Sequence, residues 1–405
     1  MNAPMLLAPP TPGQRDALRT TLLAAGRLPL YAEAFARAGV TERCIRADPV
    51  GALQALPVFA AEAQSRLAQE SLAERSHDLG GLEISSGTGG ASKRRVLSEE
   101  DVALDGALLA RLFRVAGVEP GDRVVAVELA VTPLAAAFLE GCERLGVRDS
   151  VALAWRPGSD PQPLRRLAPS VLIAPPSLLE QMQPPLPGVR LVIYNGDHLA
   201  EPVARRLGEQ GIGVRSLYGL TETSALGVSC VAEGGIHLAP RHALHELRPV
   251  EAGLELIVTT LGFSMPLLRY PTADRVRTLP GRCRCGVAWP RIDLLGRLGA
   301  RFAVFEVETS VDDLRTTLDL TPHELLQVEL TDSADGGVRM SLHLPAATRG
   351  RWPAMRARLR DHPLLGYLVA TRLLQVRLRT QKQADARKRA LLLDRRLARG
   401  RPNAG

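Results

Sequence analysis

The sequence predicts an α/β protein: a large N-terminal domain of mainly parallel sheets covered by helices, and a small α+β C-terminal domain. Three observations carry this. A chain of 405 residues exceeds what one hydrophobic core usually holds. From about residue 122, short apolar runs alternate with amphipathic stretches, the pattern of strands buried between helices. After Arg297 the texture changes to strand, helix and two strands, then a basic end, which sets the domains at 1–296 and 297–405.

Taken in order, the stretches 17–39 and 60–75 carry apolar residues at three- and four-residue spacing and read as helices. Strands are expected at Arg123–Leu129, Val151–Trp155, Ser170–Ala174 and Val189–Tyr194, with helices at Leu134–Leu145 and Pro202–Gln210. Gly253–Thr260 reads as a strand with an exposed face, followed by an irregular segment rich in Pro, Gly and Cys. Beyond the boundary come a strand (Ala303–Val307), a helix (Val311–Leu318), strands at Gln327–Leu330 and Arg339–Leu344, and a basic helical segment. There is no internal repeat.

Composition excludes several classes. With 45% hydrophobic and 23% charged residues the chain is not disordered. No apolar run approaches the roughly 20 residues of a membrane-spanning helix. Met1–Arg15 lacks the charged-then-apolar order of a signal peptide, and five cysteines cannot all pair, so a reducing cytoplasm is expected. The net charge of +8 is concentrated: residues 349–405 hold sixteen Lys and Arg against three Asp and Glu, leaving the rest at −5. Only three basic residues are lysine, namely Lys93, Lys382 and Lys388, and arginine serves elsewhere. A retained lysine marks a place that suits a compact ammonium.

Four segments carry candidate chemistry. Ser85-Ser86-Gly87-Thr88-Gly89-Gly90, with Lys93, combines turning backbone, hydroxyls and a point charge, a cradle for phosphate oxygens. It lacks the Gly-Lys-Ser/Thr ending of a Walker loop, and a flexible surface loop reads the same way. Tyr218-Gly219-Leu220-Thr221-Glu222-Thr223 puts a hydroxyl and a carboxylate after a strand, where open sheets bind ligands and where Glu222 could hold Mg²⁺. A helix N-cap explains the same residues. Asp274, in Arg269-Tyr270-Pro271-Thr272-Ala273-Asp274, suits a ribose hydroxyl pair or a simple turn. Gly296-Arg297 marks the boundary. Separately, Cys230, His237, Cys283 and Cys285 make a ligand set for a closed, structural zinc, against the alternative of buried thiols and a surface histidine.

The order of these motifs resembles the adenylate-forming superfamily of acyl-CoA synthetases, in its phenylacetate–CoA ligase branch. Further cues are Leu97-Ser98-x-x-Asp101, Ala174-Pro175-Pro176-Ser177 and the stretch from Tyr218 to Cys230, over about residues 80–396. The resemblance implies ATP-dependent formation of an acyl-AMP from a carboxylic acid, then transfer to a thiol, usually coenzyme A. It places the ATP β- and γ-phosphates on Ser85, Ser86, Gly87, Thr88, Gly89 and Gly90. It puts adenine near Gly196, Asp197, Tyr218 and Gly219, the α-phosphate on Thr221, Mg²⁺ on Glu222, and the ribose on Asp274 with Arg297 nearby. The acid pocket falls partly to Ala225, Leu226 and Gly227, small apolar residues that suit a ring or short chain. Similar cysteines and a histidine occur in some members of the branch.

The resemblance also implies a mobile small domain carrying a catalytic lysine six residues before Asp-x-Arg. Lys388 stands six residues before Asp394-Arg395-Arg396, although Arg387 replaces the family's glycine, and Lys382 is the rival. After Gly-Arg the family has an acidic pair; this chain has Leu298-Gly299-Ala300, with Gly299 able to act as pivot. That departure leaves the acceptor open among coenzyme A, a carrier-protein phosphopantetheine and an amine. A homodimer is compatible with the sequence. Nucleic-acid binding, read from pI ≈ 9.7, ranks last: 4% aromatic residues make a poor stacking platform, and the main body is acidic.

Overall fold

The computed structural model describes residues 4–60, 63–74, 77–84, 94–128, 133–154, 160, 162–181, 187–196, 199, 201–232, 234–250, 253–297, 301–305, 307–320, 324, 326–333, 336–363, 365–380 and 392–394. A short strand β1 (Met5–Leu6) precedes five helices: α1 (Pro12–Ala25), α2 (Pro29–Ala38), α3 (Glu42–Ala47), α4 (Pro49–Ala55) and α5 (Ala63–Glu74). Their starts are written locally. Thr11 and Gln14 form a reciprocal capping box on α1, and α2 and α4 open on Pro29 and Pro49. Their apolar faces (Leu18, Leu22, Tyr31, Phe35, Leu53) pack against Leu268 and Tyr270. The Tyr31 hydroxyl fixes this layer by donating to Pro266 O at 2.8 Å and accepting from Leu268 N at 3.1 Å.

A hairpin of β2 (Leu79–Ile84) and β3 (Arg94–Ser98) flanks the glycine-rich loop. Ser98 and Asp101 then form a capping box that starts α6 (Glu99–Ala116), and left-handed Gly117 ends it. The α/β part follows: β4 (Arg123–Glu128), α7 (Pro133–Leu145), β5 (Asp149–Ala154), α8 (Gln162–Leu167), β6 (Val171–Ala174), α9 (Pro176–Gln181), β7 (Leu191–Tyr194), α10 (Glu201–Glu209) and β8 (Gly213–Leu220). Strands β4 to β8 pair in parallel, and β4, β6 and β7 are apolar on both faces, with separate cores above and below. The chain then turns antiparallel through β9 (Ser224–Ser229), β10 (Ile236–Leu238), β11 (Ala243–Val250), β12 (Gly253–Thr260), β13 (Tyr270–Leu279) and β14 (Arg291–Arg297).

Among the described residues these make one twelve-stranded sheet, ordered β1-β11-β12-β13-β14-β10-β9-β8-β7-β6-β4-β5. The α/β class holds. The sheet is mixed, with parallel pairing confined to its β4–β8 half. The exposed face expected for Gly253–Thr260 is corrected: β12 lies inside the sheet between β11 and β13, and Leu256, Ile257 and Val258 are fully buried. Leu256 and Val258 join a core with residues of β8–β11, β13 and β14, a layer that a strand's own residues cannot show.

The C-terminal part has strands β15 (Arg301–Val304) and β16 (Val307–Ser310), α11 (Val311–Thr317), β17 (Gln327–Asp332) and β18 (Val338–Leu344). A 3-10 turn (Ala346–Arg351), α12 (Trp352–Asp361), α13 (Leu365–Ala370), β19 (Leu374–Thr380) and β20 (Leu392–Asp394) complete it. A four-stranded sheet, β19-β18-β17-β20, backs a core of residues drawn from Phe302 to Leu378, distinct from the cores of the large sheet. Strand β19 falls in the expected arginine-rich end: exposed Arg377 and Arg379 alternate with Val376 and buried Leu378, as an edge strand allows. Among the described residues, no helix is long and apolar enough to cross a membrane.

Candidate active site

A cavity of about 310 Å³ opens at the carboxyl ends of β4, β7 and β8. This is the edge where parallel sheets bind ligands, because adjacent loops diverge there and leave a crevice. Glu128 ends β4, Asn195 and Gly196 follow β7, and Gly219, Leu220 and Thr221 close β8. Leu134, Leu217 and Ala225 give it apolar walls, and Leu82, Glu83 and Ile84 border it from the hairpin that leads into the glycine-rich loop. Gly196 turns with φ +90°, and a Cβ on Gly219 would stand 2.3 Å from Ser224 O, so both positions require glycine.

Thr221–Thr223 form a tight turn from β8 into the antiparallel strand β9, closed by Thr223 N to Leu220 O at 3.1 Å. The Thr223 hydroxyl donates to Ser224 O at 2.9 Å. No helix begins here, which overturns the N-cap alternative. Ser224 pays for the sharp reversal with φ +64°, a left-handed conformation costly for a residue with a Cβ. Its Oγ is buried and has no hydrogen-bond partner.

Behind the turn, two carboxylates are each held by a tyrosine from the neighbouring motif. Tyr270 Oη donates to Glu222 Oε1 at 2.6 Å, and Tyr218 Oη donates to Asp274 Oδ2 at 2.6 Å. All four side chains are buried. The interlock joins the Tyr-Gly-Leu-Thr-Glu turn to β13, which the sequence separates by some fifty residues. Arg297 comes to the same place from the boundary: β14 pairs with β13 so that Asp274 faces Arg297.

The glycine-rich loop's hairpin is tied down by a buried ion pair. Arg95 makes two hydrogen bonds to Asp105 of α6, at 2.7 and 3.0 Å, lies 3.4 Å from Glu83 across the hairpin, and stacks on Phe263 at 4.9 Å. A buried guanidinium needs such fork-to-fork satisfaction. Burial raises the Glu83 carboxyl above the usual range, and Arg95 offsets part of that. Asn195 Nδ2 donates to Glu128 Oε1 at 3.4 Å, leaving the buried Asn195 Oδ1 without a partner.

A second cluster lies at the far end of β9. Cys230, His237, Cys283 and Cys285 bring their ligand atoms within 4.8 Å of one another. Cys230 Sγ is 3.5 Å from Cys283 Sγ, and Cys285 Sγ is 3.5 Å from His237 Nε2. Hairpin β9–β10 presents the first two and the β13–β14 connection the others. Burial, with the Cys230 thiol alongside, pushes Cys283 up to about 11. The alternative of a surface histidine fails, since His237 is completely buried.

The structure thus gathers Gly196, Gly219, Thr221 and Ala225 on one cavity, with Glu222, Tyr218 and Asp274 immediately behind. Leu226 and Gly227 continue β9 away from it: Leu226 enters a core and Gly227 backs onto His237 O. Ser85, Ser86, Gly87, Thr88, Gly89, Gly90, Lys93, Asp197, Lys382 and Lys388 lie outside the described residues, as does the Arg297 side chain. Four residues after Lys388, β20 pairs in parallel with β17. Glu83, Glu128, Asn195 and Ser224 were not anticipated as site residues. Asn195 adjoins Gly196, but nothing local distinguishes the other three.

No family profile matches the chain. It is 26% identical over 276 residues to the phenylacetate–coenzyme A ligase of Escherichia coli (strain K12), covering 61% of this chain and 62% of that enzyme. To the Pseudomonas putida enzyme of the same name it is 26% identical over 302 residues, 67% of each. The match therefore spans less than two thirds of the E. coli relative. Among solved structures, a 2-hydroxyisobutyryl-CoA ligase in complex with 2-HIB-AMP and CoA superposes with a TM-score of 0.74 at 18% identity, over 95% of this chain and 89% of that one. The chain shares the fold of that ligase. The amide bond synthetase McbA from Marinactinospora thermotolerans shares it too, with a TM-score of 0.52 at 16% identity over 94% of each chain. The likeness to the phenylacetate–CoA ligase branch, read from the motifs, is borne out.

Proposed function

We propose that this chain is an AMP-forming acid–thiol ligase that activates a small carboxylic acid, aromatic acids included, and passes the acyl group to coenzyme A. The carrying observation is the cavity at the sheet's carboxyl edge, where Gly196, Gly219, Thr221 and Ala225 meet in front of the tyrosine-held Glu222 and Asp274. A carboxylate oxygen attacks the α-phosphorus of ATP, the bond to pyrophosphate breaks, and an acyl-AMP remains. A thiol sulfur then attacks the acyl carbon, AMP leaves, and the thiol proton passes to solvent. Both steps crowd negative charge, so oriented donors and cations carry the rate.

In this reading Thr221 donates to the α-phosphate and Asp274 holds the ribose, with Tyr218 fixing its rotamer. Ser85–Gly90 and Lys93 cradle the outer phosphates, and Lys388 closes over the reacting centre from the small domain, 297–405, moving against 1–296. Glu222 is a buried oxygen donor and would hold Mg²⁺, which would neutralise phosphate charge. Two buried thiols, a third partly buried one and a buried imidazole suit zinc, which would staple the β13–β14 connection to β9–β10. The basic C-terminal part offers a surface for the phosphates of coenzyme A. The protein would work in the cytoplasm.

Mass spectrometry of acyl-AMP and pyrophosphate release across a panel of acids tests the first step; the absence of acid-dependent turnover overturns the proposal. Adding coenzyme A tests the second. The replacement of the acidic pair by Leu298-Gly299-Ala300 favours a second reading, in which a carrier-protein phosphopantetheine or an amine is the acceptor. Acyl-AMP that persists with coenzyme A and is consumed with those acceptors would select it.

A further inference from the structure

The four-stranded sheet of the C-terminal part has one apolar side. Met340 and Leu342 of β18 and Leu374 and Leu378 of β19 enter its core. Because side chains alternate along a strand, Arg339, Arg377 and Arg379 stand on the opposite side. The register groups them: Arg339 lies beside Gln375, two residues before Arg377, and Arg379 lies beside His343. Successive arginines in this row are about 7 Å apart. None of the three has a hydrogen-bond or ion-pair partner among the described residues. Arg377 and Arg379 are exposed, whereas Arg339 is half-buried, with its Nε enclosed and unpaired. Among the described residues, Glu329 is the carboxylate that pairing brings to this side, and His343 engages it at 3.2 Å. Charge on an edge strand discourages pairing with another sheet, which accounts for Arg377 and Arg379. It does not account for Arg339, on the inner strand β18. An enclosed, unpaired guanidinium nitrogen beside two like charges is unfavourable until an anion meets it.

We propose that this face binds the phosphates of coenzyme A, with Arg339 on the inner strand and Arg377 and Arg379 on the edge. The inference rests on the ligase reading and gives its thiol substrate a place. A guanidinium fork takes two oxygens of one phosphate, so three forks in a row suit a ligand whose phosphoryl groups are clustered. Coenzyme A carries a diphosphate and a separate phosphate ester. Its uncharged pantetheine arm, which ends in the thiol, makes no call on this face.

Titration calorimetry of the full chain with coenzyme A, dephospho-coenzyme A, pantetheine and inorganic pyrophosphate tests this without turnover. Wild type should bind coenzyme A more tightly than dephospho-coenzyme A, and more weakly as salt rises. Replacing Arg339, Arg377 and Arg379 together by Gln should weaken coenzyme A about 10- to 10²-fold and pantetheine less than about 3-fold. Thermal melting confirms that the variant folds. Arg377→Gln with Arg379→Gln, confined to exposed residues, should shift the affinity in the same direction if the inner substitution unfolds the sheet. Unchanged affinity for coenzyme A, equal weakening of pantetheine, or a wild type that does not bind coenzyme A overturns the inference. So does pyrophosphate binding that is lost with the arginines while coenzyme A binding is kept. Acyl-AMP formation is measured separately, and its absence with every acid overturns the ligase reading itself.

Discussion

Strand β9 carries a different kind of site at each end. Ser224 begins it at the cavity, and Cys230 follows its last residue in the thiol–imidazole cluster, about 20 Å away along an extended strand. At the first end polar atoms are left over: Ser224 Oγ and Asn195 Oδ1 have no partner, and the backbone is strained. At the second, four ligand atoms lie within 4.8 Å of one another. Unspent hydrogen-bonding capacity beside a cavity suits a ligand that comes and goes. Three thiols and an imidazole brought together suit an ion that stays. The contrast teaches that polarity alone does not identify a reaction centre; what matters is whether its partners are supplied by the chain.

The sharpest way to break this contrast is at the open end. Glu222→Gln keeps the acceptor for Tyr270 but removes the charge, and acyl-AMP formation should fall about 10²–10³-fold, with melting nearly unchanged. Equal losses of stability and rate would make Glu222 structural. At the closed end the expectation reverses. Cys285→Ser, or a chelator, should lower unfolding free energy by about 3–4 kcal/mol, the effect of removing an ion present well above its dissociation constant. Bound zinc, measured by elemental analysis, should fall with it, while the folded protein retains its rate within about 3-fold. Absence of zinc in purified protein would leave the cluster as plain buried thiols.

A third measurement concerns the imidazoles outside the cluster. His245 and His242 are buried without partners for Nε2, and desolvation holds each at about 4. The unfolded chain protonates them below about 6.5, so their contribution is complete above that pH and is lost as pH falls towards 4. For His245 this is on the order of 3 kcal/mol, and denaturant unfolding of His245→Gln should show a shallower decline over that window. The smallest effect is at the interlock. Tyr218→Phe removes one hydroxyl donor from Asp274, and KM for ATP should rise about 3- to 10-fold with little change in kcat.

Much of the site was legible because its chemistry is written in contiguous motifs. Tyr218–Thr223 and Arg269–Asp274 were singled out by residue type, and the two carboxylates do share one neighbourhood. The cluster of Cys230, His237, Cys283 and Cys285 was legible for the same reason: cysteine and histidine are few enough that their grouping stands out. What escaped was contributed singly by separate elements. Glu83 and Glu128 look like ordinary strand residues, and Ser224 acquires its meaning from a positive φ that no adjacent glycine signals. In the fold, alternation of short apolar runs gave the parallel half, whereas the burial of Gly253–Thr260 depended on its place between β11 and β13 and on a core shared with other strands.

Local chemistry, then, determined the kinds of parts this chain contains: capped helices, doubly apolar strands, a glycine-rich turn, and acids and hydroxyls at strand ends. Those follow from backbone preference and side-chain type, which travel with the residue. Pairing decided the rest. Which tyrosine holds which carboxylate, which acceptors are left bare on the cavity wall, and which thiols face one imidazole all depend on strands distant in sequence lying side by side. Hydrogen bonds and desolvation act only over a few ångströms, so these properties came into being with the tertiary fold.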